Sequence, residues 1–208
     1  MFKSCKFLKK MNVMSLKNSY VTSDYVEWNT MLSLIRRLYR DKEYRMSLLL
    51  GCGSFFGLRI SDLLSLTWDM LLNNDKFIIV EKKTSKRREI KINSDFQKHI
   101  IDCYNALCIV NPSEKCFISR KKTVYSTQRV NVRFKEIKQK YGLKVEHFST
   151  HSMRKTFGRK VVEAAQENSE FALLKLSEIF NHSDIQTTRR YLGLRSQELL
   201  ETYDMLNF

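Results

Sequence analysis

Residues 181–191 read NHSDIQTTRRY and place His182 nine residues before Tyr191. Ser183 or Asp184 fits the N-cap of a helix that would carry the second half of this segment, including the tyrosine. A single tyrosine is far more often a core or surface residue than a nucleophile, so this segment alone indicates only a capped helix. Three other segments, in a fixed order along the chain, change its interpretation.

The first of these segments holds Arg59 directly after a Gly-Leu pair. Ser61 and Asp62 are candidate caps for a short helix that begins there, so the guanidinium would be held at a helix start. An ion pair between Arg59 and Asp62 explains the same residues without any binding site. Both interpretations stay open on this segment alone.

The second segment has three lysines, Lys82, Lys83 and Lys86, at the turn of a predicted β-hairpin. Such a turn can extend towards a ligand, but lysines are also common at sheet edges, where they oppose aggregation. The third segment places His151 and Arg154 three residues apart, on one side of the first turn of a helix. This pair suits phosphate binding at a helix N-terminus, although a lone pair of this kind is more often structural.

The apolar spacing elsewhere is mainly helical. The sequence therefore predicts a mostly α fold with one small antiparallel β-sheet, an α+β class. The predicted helices hold the apolar residues of segments 31–38, 43–56, 63–68, 96–107, 128–141, 153–165, 171–180, 187–191 and 196–206, and the predicted strands are 76–81 and 88–92.

Residues typical of helix ends border several of these segments. Asp24 with Glu27, and Ser94 with Gln97, have the spacing of capping boxes. Glycines at positions 57 and 142 follow the last apolar residues of two helices, as expected for helix C-termini. These signals predict where four of the helices begin or end.

The charge of the chain indicates a nucleic acid partner. Its 208 residues include 37 Lys and Arg against 22 Asp and Glu, a net charge of +15. The most apolar stretch, residues 46–58, contains three glycines and is too short to span a membrane. No secretory signal is recognisable, and five scattered cysteines indicate reduced thiols in a cytoplasmic protein.

The basic residues are concentrated in one part of the chain. Residues 115–144 hold ten Lys and Arg and a single acid, Glu136. A solvated helix face is the plain alternative, but at this density contacts to a phosphate backbone are favoured. The candidate DNA-contacting residues, there and in the hairpin, are Lys82, Lys86, Arg87, Arg120, Lys121, Lys122, Arg129, Arg133 and Lys140.

Taken in order, these segments resemble the tyrosine recombinase, or phage integrase, family. The matching text is GLRISDLLSL at residues 57–66, HSMRKTF at 151–157 and NHSDIQTTRRY at 181–191. The resemblance extends from about residue 23 to the C-terminus, and three boxes in the same order make it specific. It implies the fold of a tyrosine recombinase catalytic domain.

The resemblance also implies an activity. Members of the family cleave and rejoin DNA through a covalent 3′-phosphotyrosine, and Tyr191 matches the nucleophile. Arg59 and Arg154 match the two arginines that clamp the non-bridging phosphate oxygens, and His182 would add a hydrogen bond to the phosphate. The expected function is site-specific recombination that integrates or excises a mobile element.

Two proton transfers are implied by the same chemistry. His151 would assist proton transfer around the tyrosine, and a hairpin lysine would protonate the departing 5′ oxygen. Lys83 is the best match to the lysine of the family because it directly precedes the turn, with Lys82 and Lys86 as alternatives. No metal or other cofactor is expected.

The resemblance further implies a domain organisation and partners. Residues 1–22 are interpreted as a basic arm or linker and residues 23–208 as the catalytic domain, without the N-terminal core-binding domain usual in the family. Double-stranded DNA is the expected partner. Self-association to a dimer or tetramer on DNA through the C-terminal helix, and an accessory DNA-bending or directionality factor, are also expected.

The sequence departs from the family at two positions near the boxes. Asn181 stands where glycine is usual, and Lys155 stands where histidine is common, but neither change removes a catalytic group. Two alternative functions remain. An inactive DNA-binding relative would have lost Tyr191, Arg59 or Arg154, which are all present, and a type IB topoisomerase-like enzyme fits the third box less well.

Overall fold

The computed structural model of the chain describes residues 22–72, residues 75–194 and Tyr203. The predicted basic arm lies outside the described residues, except for Thr22. The predicted C-terminal helix at residues 196–206 also lies outside them, except for Tyr203, which is helical and 73% exposed.

The described residues form nine α-helices, one short 3₁₀ turn at Gln166–Asn168 and one β-hairpin. The helices α3 and α4 are each about one turn long, and the others have at least two turns. The elements are α1 (Trp28–Arg40), α2 (Tyr44–Phe56), α3 (Ile60–Leu63), α4 (Trp68–Leu72), β1 (Lys76–Val80), β2 (Arg87–Lys91), α5 (Ser94–Ala106), α6 (Thr127–Tyr141), α7 (Thr150–Ala165), α8 (Ser169–Phe180) and α9 (Ile185–Leu192).

The sheet is the small antiparallel hairpin that the alternating sequence predicts. Lys76 lies opposite Lys91, and Val80 lies opposite Arg87. Along β1 the buried and exposed side chains alternate, and Phe77 faces the core. The predicted fold class, mostly helical with one small antiparallel sheet, is confirmed.

Helix α2 is the centre of the main core and packs against α1, α5 and α7. One glycine within α2 and the glycine that follows its last residue allow α7 to approach closely. A Cβ atom on Gly53 would lie 2.3 Å from the Met153 sulfur, and a Cβ on Gly57 would lie 2.4 Å from a ring carbon of Phe157. This contact brings the segment after α2, which contains Arg59, next to the middle of α7.

A second, smaller apolar cluster joins α7, α8 and α9. Leu173, Leu176 and Phe180 of α8 are buried against Leu192 of α9, and Tyr191 packs against the same cluster. The last residues of α8 and the tyrosine of the third box are therefore held on one side of α7.

The predicted capping box of Asp24 and Glu27 is wrong. Glu27 itself is the N-cap of α1 and accepts hydrogen bonds from the amides of Asn29 and Thr30. The Asp24 carboxylate instead accepts from the amides of Glu146 and His147. A short acidic side chain close to exposed amides of another segment bonds them in preference to its own helix.

Two other predicted caps are also replaced. Asn93, not Ser94, caps α5, and the Gln97 amide donates to the carbonyl of Leu71 at 2.8 Å. Arg59 occupies the N-cap position of α3 without a side-chain cap. The glycine signals were correct, since positions 57 and 142 both adopt the left-handed conformation at helix C-termini.

The first described residues bind α7 and the loop before it. The Ser23 hydroxyl lies 2.5 Å from that of Ser149, the N-cap of α7. The Val26 backbone exchanges two hydrogen bonds with the Thr156 hydroxyl, at 2.9 and 2.8 Å. These contacts hold α7 to the first described residues in addition to its contact with α2.

No helix within residues 22–72 and 75–194 combines the length and the apolar character needed to cross a membrane.

Candidate active site

Two guanidinium groups converge on one backbone oxygen. Arg59 Nη2 donates to the carbonyl of Phe180 at 2.9 Å, and Arg154 Nη2 donates to the same oxygen at 3.0 Å. Phe180 is the last residue of α8, Arg154 lies on α7, and Arg59 precedes α3. The arginines of the first two boxes are therefore in one place, beside the start of the third box.

Arg154 is almost fully enclosed. Its residue is 4% exposed, its Nη1 donates to the Gly57 carbonyl at 2.7 Å, and its guanidinium lies 4.2 Å from the centroid of the Phe180 ring. Burial lowers the pKa of Arg154 to about 10, partly offset by Tyr191. The side chain is still a cation at neutral pH, and its position is fixed before any ligand binds.

Arg59 does not pair with Asp62, the alternative that its spacing left open. Its Nη1 donates to Oε2 of Glu81 at 2.7 Å. Asp62 is buried and accepts a hydrogen bond from the Lys82 amide. The Glu81 carboxylate also lies 3.6 Å from Nη1 of Arg88.

Glu81 and Arg88 were not among the predicted site residues, although one signal in the sequence points to Glu81. Phe77 and Ile79 of β1 face the core, and the two-residue period of a strand directs position 81 the same way. A glutamate at an inward position needs a partner. Its cationic partners lie on other elements, so the sequence could not identify them.

His182 lies beside the tyrosine of the third box and the last residue of α8. Its ring centroid is 5.3 Å from that of Tyr191 and 5.4 Å from that of Phe180, and its Nδ1 is 2.9 Å from the Thr188 hydroxyl. Burial, with the charges of Arg154 and Arg59, lowers the pKa of His182 to about 4. The imidazole is therefore neutral at physiological pH and has a single N–H.

The Tyr191 hydroxyl is buried and makes no hydrogen bond of normal geometry with the described residues. Burial raises the pKa of Tyr191, while the nearby charges of Arg154 and Arg59 lower it, and the net direction is upward. The Lys155 ammonium lies 5.4 Å from the centroid of the tyrosine ring. The phenol therefore lies buried against the Arg154 guanidinium, and the capacity of its hydroxyl for a hydrogen bond of normal geometry is unused.

The other histidine of the predicted site is on the first turn of α7. His151 is exposed, and its ring makes no hydrogen bond to any residue that the structure describes. Partial burial, followed by the charges of Arg154 and Lys155, lowers the pKa of His151. The ring is close enough to Arg154 and Lys155 for their charges to lower its pKa, but it makes no hydrogen bond to them.

The hairpin turn brings three lysines to this region in different ways. Lys83 is exposed and pairs with none of the described residues, and Lys82 is anchored only through its backbone amide to Asp62. The ammonium of Lys86 donates to Oδ1 of Asn181, the residue before His182. The turn therefore contacts the third box through Lys86, and Lys83 is exposed within the same turn.

The predicted DNA-contacting residues do not form one uniform positive face. Arg133 pairs with Glu43 at 2.9 Å and also with Glu136, and Lys140 pairs with Asp41 at 2.7 Å. The others, apart from Lys86, are exposed and form no ion pair with any described residue: Lys82, Arg87, Arg120, Lys121, Lys122 and Arg129.

Within the described part of the chain, His, Cys, Asp and Glu do not gather in groups of three that could hold a metal ion. The described cysteines are free thiols, and burial raises the pKa of Cys103 to about 12.

The fold, with two arginines, a histidine and a tyrosine gathered beside the end of α8, is that of a tyrosine recombinase catalytic domain. The chain belongs to the phage integrase family, whose family model matches residues 26–198.

Curated relatives are similar over most of the chain. The tyrosine recombinase XerC of Pseudomonas putida is 30% identical over 150 residues, which are 71% of this chain and 48% of that protein. The probable integrase/recombinase YoeC of Bacillus subtilis is 29% identical over 162 residues, 77% of this chain and 83% of that protein. The chain thus spans about half the length of the XerC proteins that it matches.

Solved structures share the fold at low sequence identity. The XerA recombinase has a TM-score of 0.67 at 17% identity, covering 91% of this chain and 68% of that one. The Tn1549 transposon integrase in complex with a circular intermediate DNA has a TM-score of 0.65 at 19% identity, covering 85% and 63%.

Proposed function

We propose that this chain cleaves and rejoins DNA strands in site-specific recombination, through a covalent 3′-phosphotyrosine formed by Tyr191, and that it serves the integration or excision of a mobile element. One observation carries the proposal. Arg59 and Arg154 both direct a charged donor at a single oxygen, the Phe180 carbonyl, and their charges also act on the buried Tyr191 hydroxyl. This arrangement suits a phosphodiester, which offers charged oxygens to both donors.

The bonds and protons balance in a transesterification. The phenolic oxygen of Tyr191 attacks phosphorus, a P–O bond to the tyrosine forms, and the P–O bond to the 5′ carbon's oxygen breaks. The phenolic proton passes to His151, which the lowered pKa keeps neutral and able to accept it. The Lys83 ammonium gives a proton to the departing 5′ oxygen. The reverse reaction rejoins the strand.

The arginines act on the charge that develops on the non-bridging oxygens. Each guanidinium is held by a second contact, Arg59 by Glu81 and Arg154 by the Gly57 carbonyl. Donors that are fixed before the reaction stabilise the transition state without having to reorganise. Neutral His182 adds a donor at Nε2 when its Nδ1 accepts from the Thr188 hydroxyl.

The domain boundary belongs to the same proposal. Residues from Ser23 onward are proposed as the catalytic domain, because Ser23 and Asp24 contact residues 146–149, and Val26 bonds Thr156 of α7. Residues 1–22 are proposed as an arm or linker.

Double-stranded DNA is the proposed partner, and assembly of two or four chains on it is proposed to involve the C-terminal helix. The Tn1549 integrase and XerH structures are complexes with DNA, and the lambda integrase structure is a dimer bound to a core site. The net charge of +15 supports binding to DNA by this chain. An accessory DNA-bending or directionality factor is proposed as a further partner.

The first prediction concerns the nucleophile. Incubation with supercoiled plasmid in EDTA, followed by a detergent quench, should give protein covalently attached to nicked DNA. Tyr191→Phe should bind the plasmid and form no adduct, because only the phenolic oxygen is lost. Tyr25→Phe is the matched control, since Tyr25 is 40% exposed and is not among the proposed site residues, and it should form adducts at the wild-type level.

Adducts that persist in Tyr191→Phe would contradict the assignment of the nucleophile. No adduct with the wild-type protein, despite DNA binding, would contradict strand cleavage by this chain. Sequencing the DNA ends of the adducts identifies the cleaved site and supplies a synthetic substrate.

A further inference from the structure

The carboxylate of Glu81 joins two parts of the candidate active site. The residue follows β1 directly and is 3% exposed. Its Oε2 accepts from Nη1 of Arg59 at 2.7 Å and from the Thr84 hydroxyl at 2.9 Å. Because these two donors share one oxygen atom, a shift of the turn residue Thr84 is transmitted directly to the guanidinium of Arg59.

The backbone of Glu81 also closes the turn that carries the lysines. Its amide donates to the Lys86 carbonyl at 3.0 Å, and its carbonyl accepts from the Ser85 amide at 2.8 Å. Ser85 takes a positive φ of 55° to complete the turn. Lys83 lies inside this closed loop, so its position depends on the position of Glu81.

The Glu81 carboxylate stays charged in spite of its burial. Burial raises its pKa, but the Thr84 hydroxyl and the Arg59 guanidinium, with Arg88, outweigh this effect, and the net pKa is lowered. A negative charge beside a phosphate-binding arginine weakens attraction for a phosphate. Glu81 therefore does not strengthen binding to DNA. A buried ion pair is also weak evidence that Glu81 stabilises the fold.

The remaining effect of Glu81 is on the orientation of the Arg59 guanidinium. A carboxylate on Nη1 fixes the plane of the Arg59 guanidinium, and the rest of that group stays directed at the Phe180 oxygen. We propose that Glu81 is a positioning residue for strand cleavage, which holds the first arginine and the lysine-bearing turn in one fixed arrangement. This inference rests on the function proposed above.

The test compares Glu81→Gln with Glu89→Gln on the synthetic substrate. Glutamine keeps the size of the side chain and its acceptor oxygen, so Glu81→Gln retains a bond for Thr84. Glu89 is the matched control because it lies on the same hairpin, is exposed and pairs with Lys76 at the surface. The cleavage rate under single-turnover conditions and the Kd for DNA are measured separately.

We expect Glu81→Gln to lower the cleavage rate on the order of 10- to 100-fold, since small displacements of catalytic groups have effects of this size. The Kd should change less than about threefold, because many other cations contact the phosphates. Glu89→Gln should leave both values at the wild-type level.

Two further readouts separate positioning from a general loss of structure. Glu81→Gln and Lys83→Ala should be non-additive, because both disturb the proton transfer from the turn. A substrate with sulfur in place of the bridging 5′ oxygen has a leaving group that needs no proton. Glu81→Gln and Lys83→Ala should therefore each regain part of the lost cleavage rate on this substrate.

A wild-type rate in Glu81→Gln would overturn the proposal, and so would additive effects with no recovery on the sulfur substrate. Failure of the wild-type protein to cleave contradicts the proposed function instead. The role of Glu81 is then decided by hydrogen exchange of the Arg59 guanidinium, whose bond from Nη1 would lose its charged acceptor, so that exchange should be faster in Glu81→Gln than in Glu89→Gln. Equal exchange in the two variants would overturn it.

Discussion

The carbonyl oxygen of Phe180 receives charged donors from both Arg59 and Arg154. A carbonyl has only a partial negative charge, whereas each phosphodiester carries a full one, and charged acceptors form the stronger hydrogen bonds. The guanidiniums are thus kept in place by an acceptor that a phosphate oxygen can replace. At the level of single residues, both donors are therefore held in place before the proposed phosphate binds.

A prediction about pH follows from His182. An unfolded histidine titrates near 6.5, whereas burial and the charges of Arg154 and Arg59 give His182 a pKa of about 4. Between these values the unfolded chain binds more protons, so the free energy of unfolding falls as the pH drops. From pH 7 to pH 5, His182 should account for a loss of about 1 kcal/mol, after allowance for partial solvation.

The measurement is urea unfolding of the wild type and of His182→Asn at both pH values. Asparagine can still bond the Thr188 hydroxyl but does not titrate, so the loss of stability in this variant should be smaller. His151, whose pKa is also lowered, contributes equally to both proteins. An identical loss in both would show that His182 is not held neutral by the fold.

The close contact between α2 and α7 gives a prediction at the level of secondary structure elements. Gly57 and Gly142 both end helices with positive φ, 58° and 64°. A Cβ on Gly57 would lie 2.4 Å from the Phe157 ring, whereas a Cβ on Gly142 would meet nothing within 4 Å. Gly142→Ala should therefore cost only the backbone penalty, about 1 kcal/mol.

Gly57→Ala should cost this penalty plus the repacking of Phe157, together about 3 kcal/mol. It should also slow strand cleavage, because the Gly57 carbonyl holds Arg154. Urea unfolding gives the first quantity, and the single-turnover rate gives the second. Equal destabilisation by the two substitutions would show that α7 can move away from α2 freely.

Helix ends were predictable from sequence where the residue at the helix end interacts only with the backbone of its own helix or adopts the left-handed conformation itself. The two glycines were predicted correctly, and of the two candidate caps Ser183 and Asp184 the structure uses Asp184, whose Oδ1 accepts from the Thr187 amide. Asp24 and Gln97 were not predicted correctly, because their side chains bond to segments distant in sequence. Local capping competes with tertiary contacts, and the sequence alone shows only which residues are available for local capping.

The candidate site also contains some groups that the sequence could predict and others that it could not. Its proposed catalytic side chains, except Lys83, lie in recognisable boxes, and the spacing of each box reflects one turn or one helix start. Glu81 and the Phe180 carbonyl are different, because they meet Arg59 from positions 22 and 121 residues away. A backbone oxygen has no sequence signature at all, so only the packed structure could reveal it.

The charge of the whole molecule predicts how binding depends on salt. With 37 basic and 22 acidic residues, affinity for duplex DNA should fall steeply as salt rises, because binding releases counterions. A flat dependence would contradict a surface that follows the phosphate backbone. A plot of log K against log salt concentration measures this directly.

Two arginines of α6 provide a matched comparison within that measurement. Arg129 is exposed and pairs with no described acid, while Arg133 pairs with Glu43 and Glu136. Arg129→Ala should reduce the salt slope by about 1, the value for one lost phosphate contact. Arg133→Ala should change it less, and the reverse order would show that the ion pairs of Arg133 open on DNA.

The position of the Phe180 carbonyl limits how the length of this molecule can vary among related chains. One residue gained or lost within α8 would rotate its last carbonyl by about 100° and turn it away from Arg59 and Arg154. The connection between α5 and α6, residues 107–126, contributes no atom to that oxygen's hydrogen bonds. Insertions and deletions should therefore accumulate in that connection and be absent from α8.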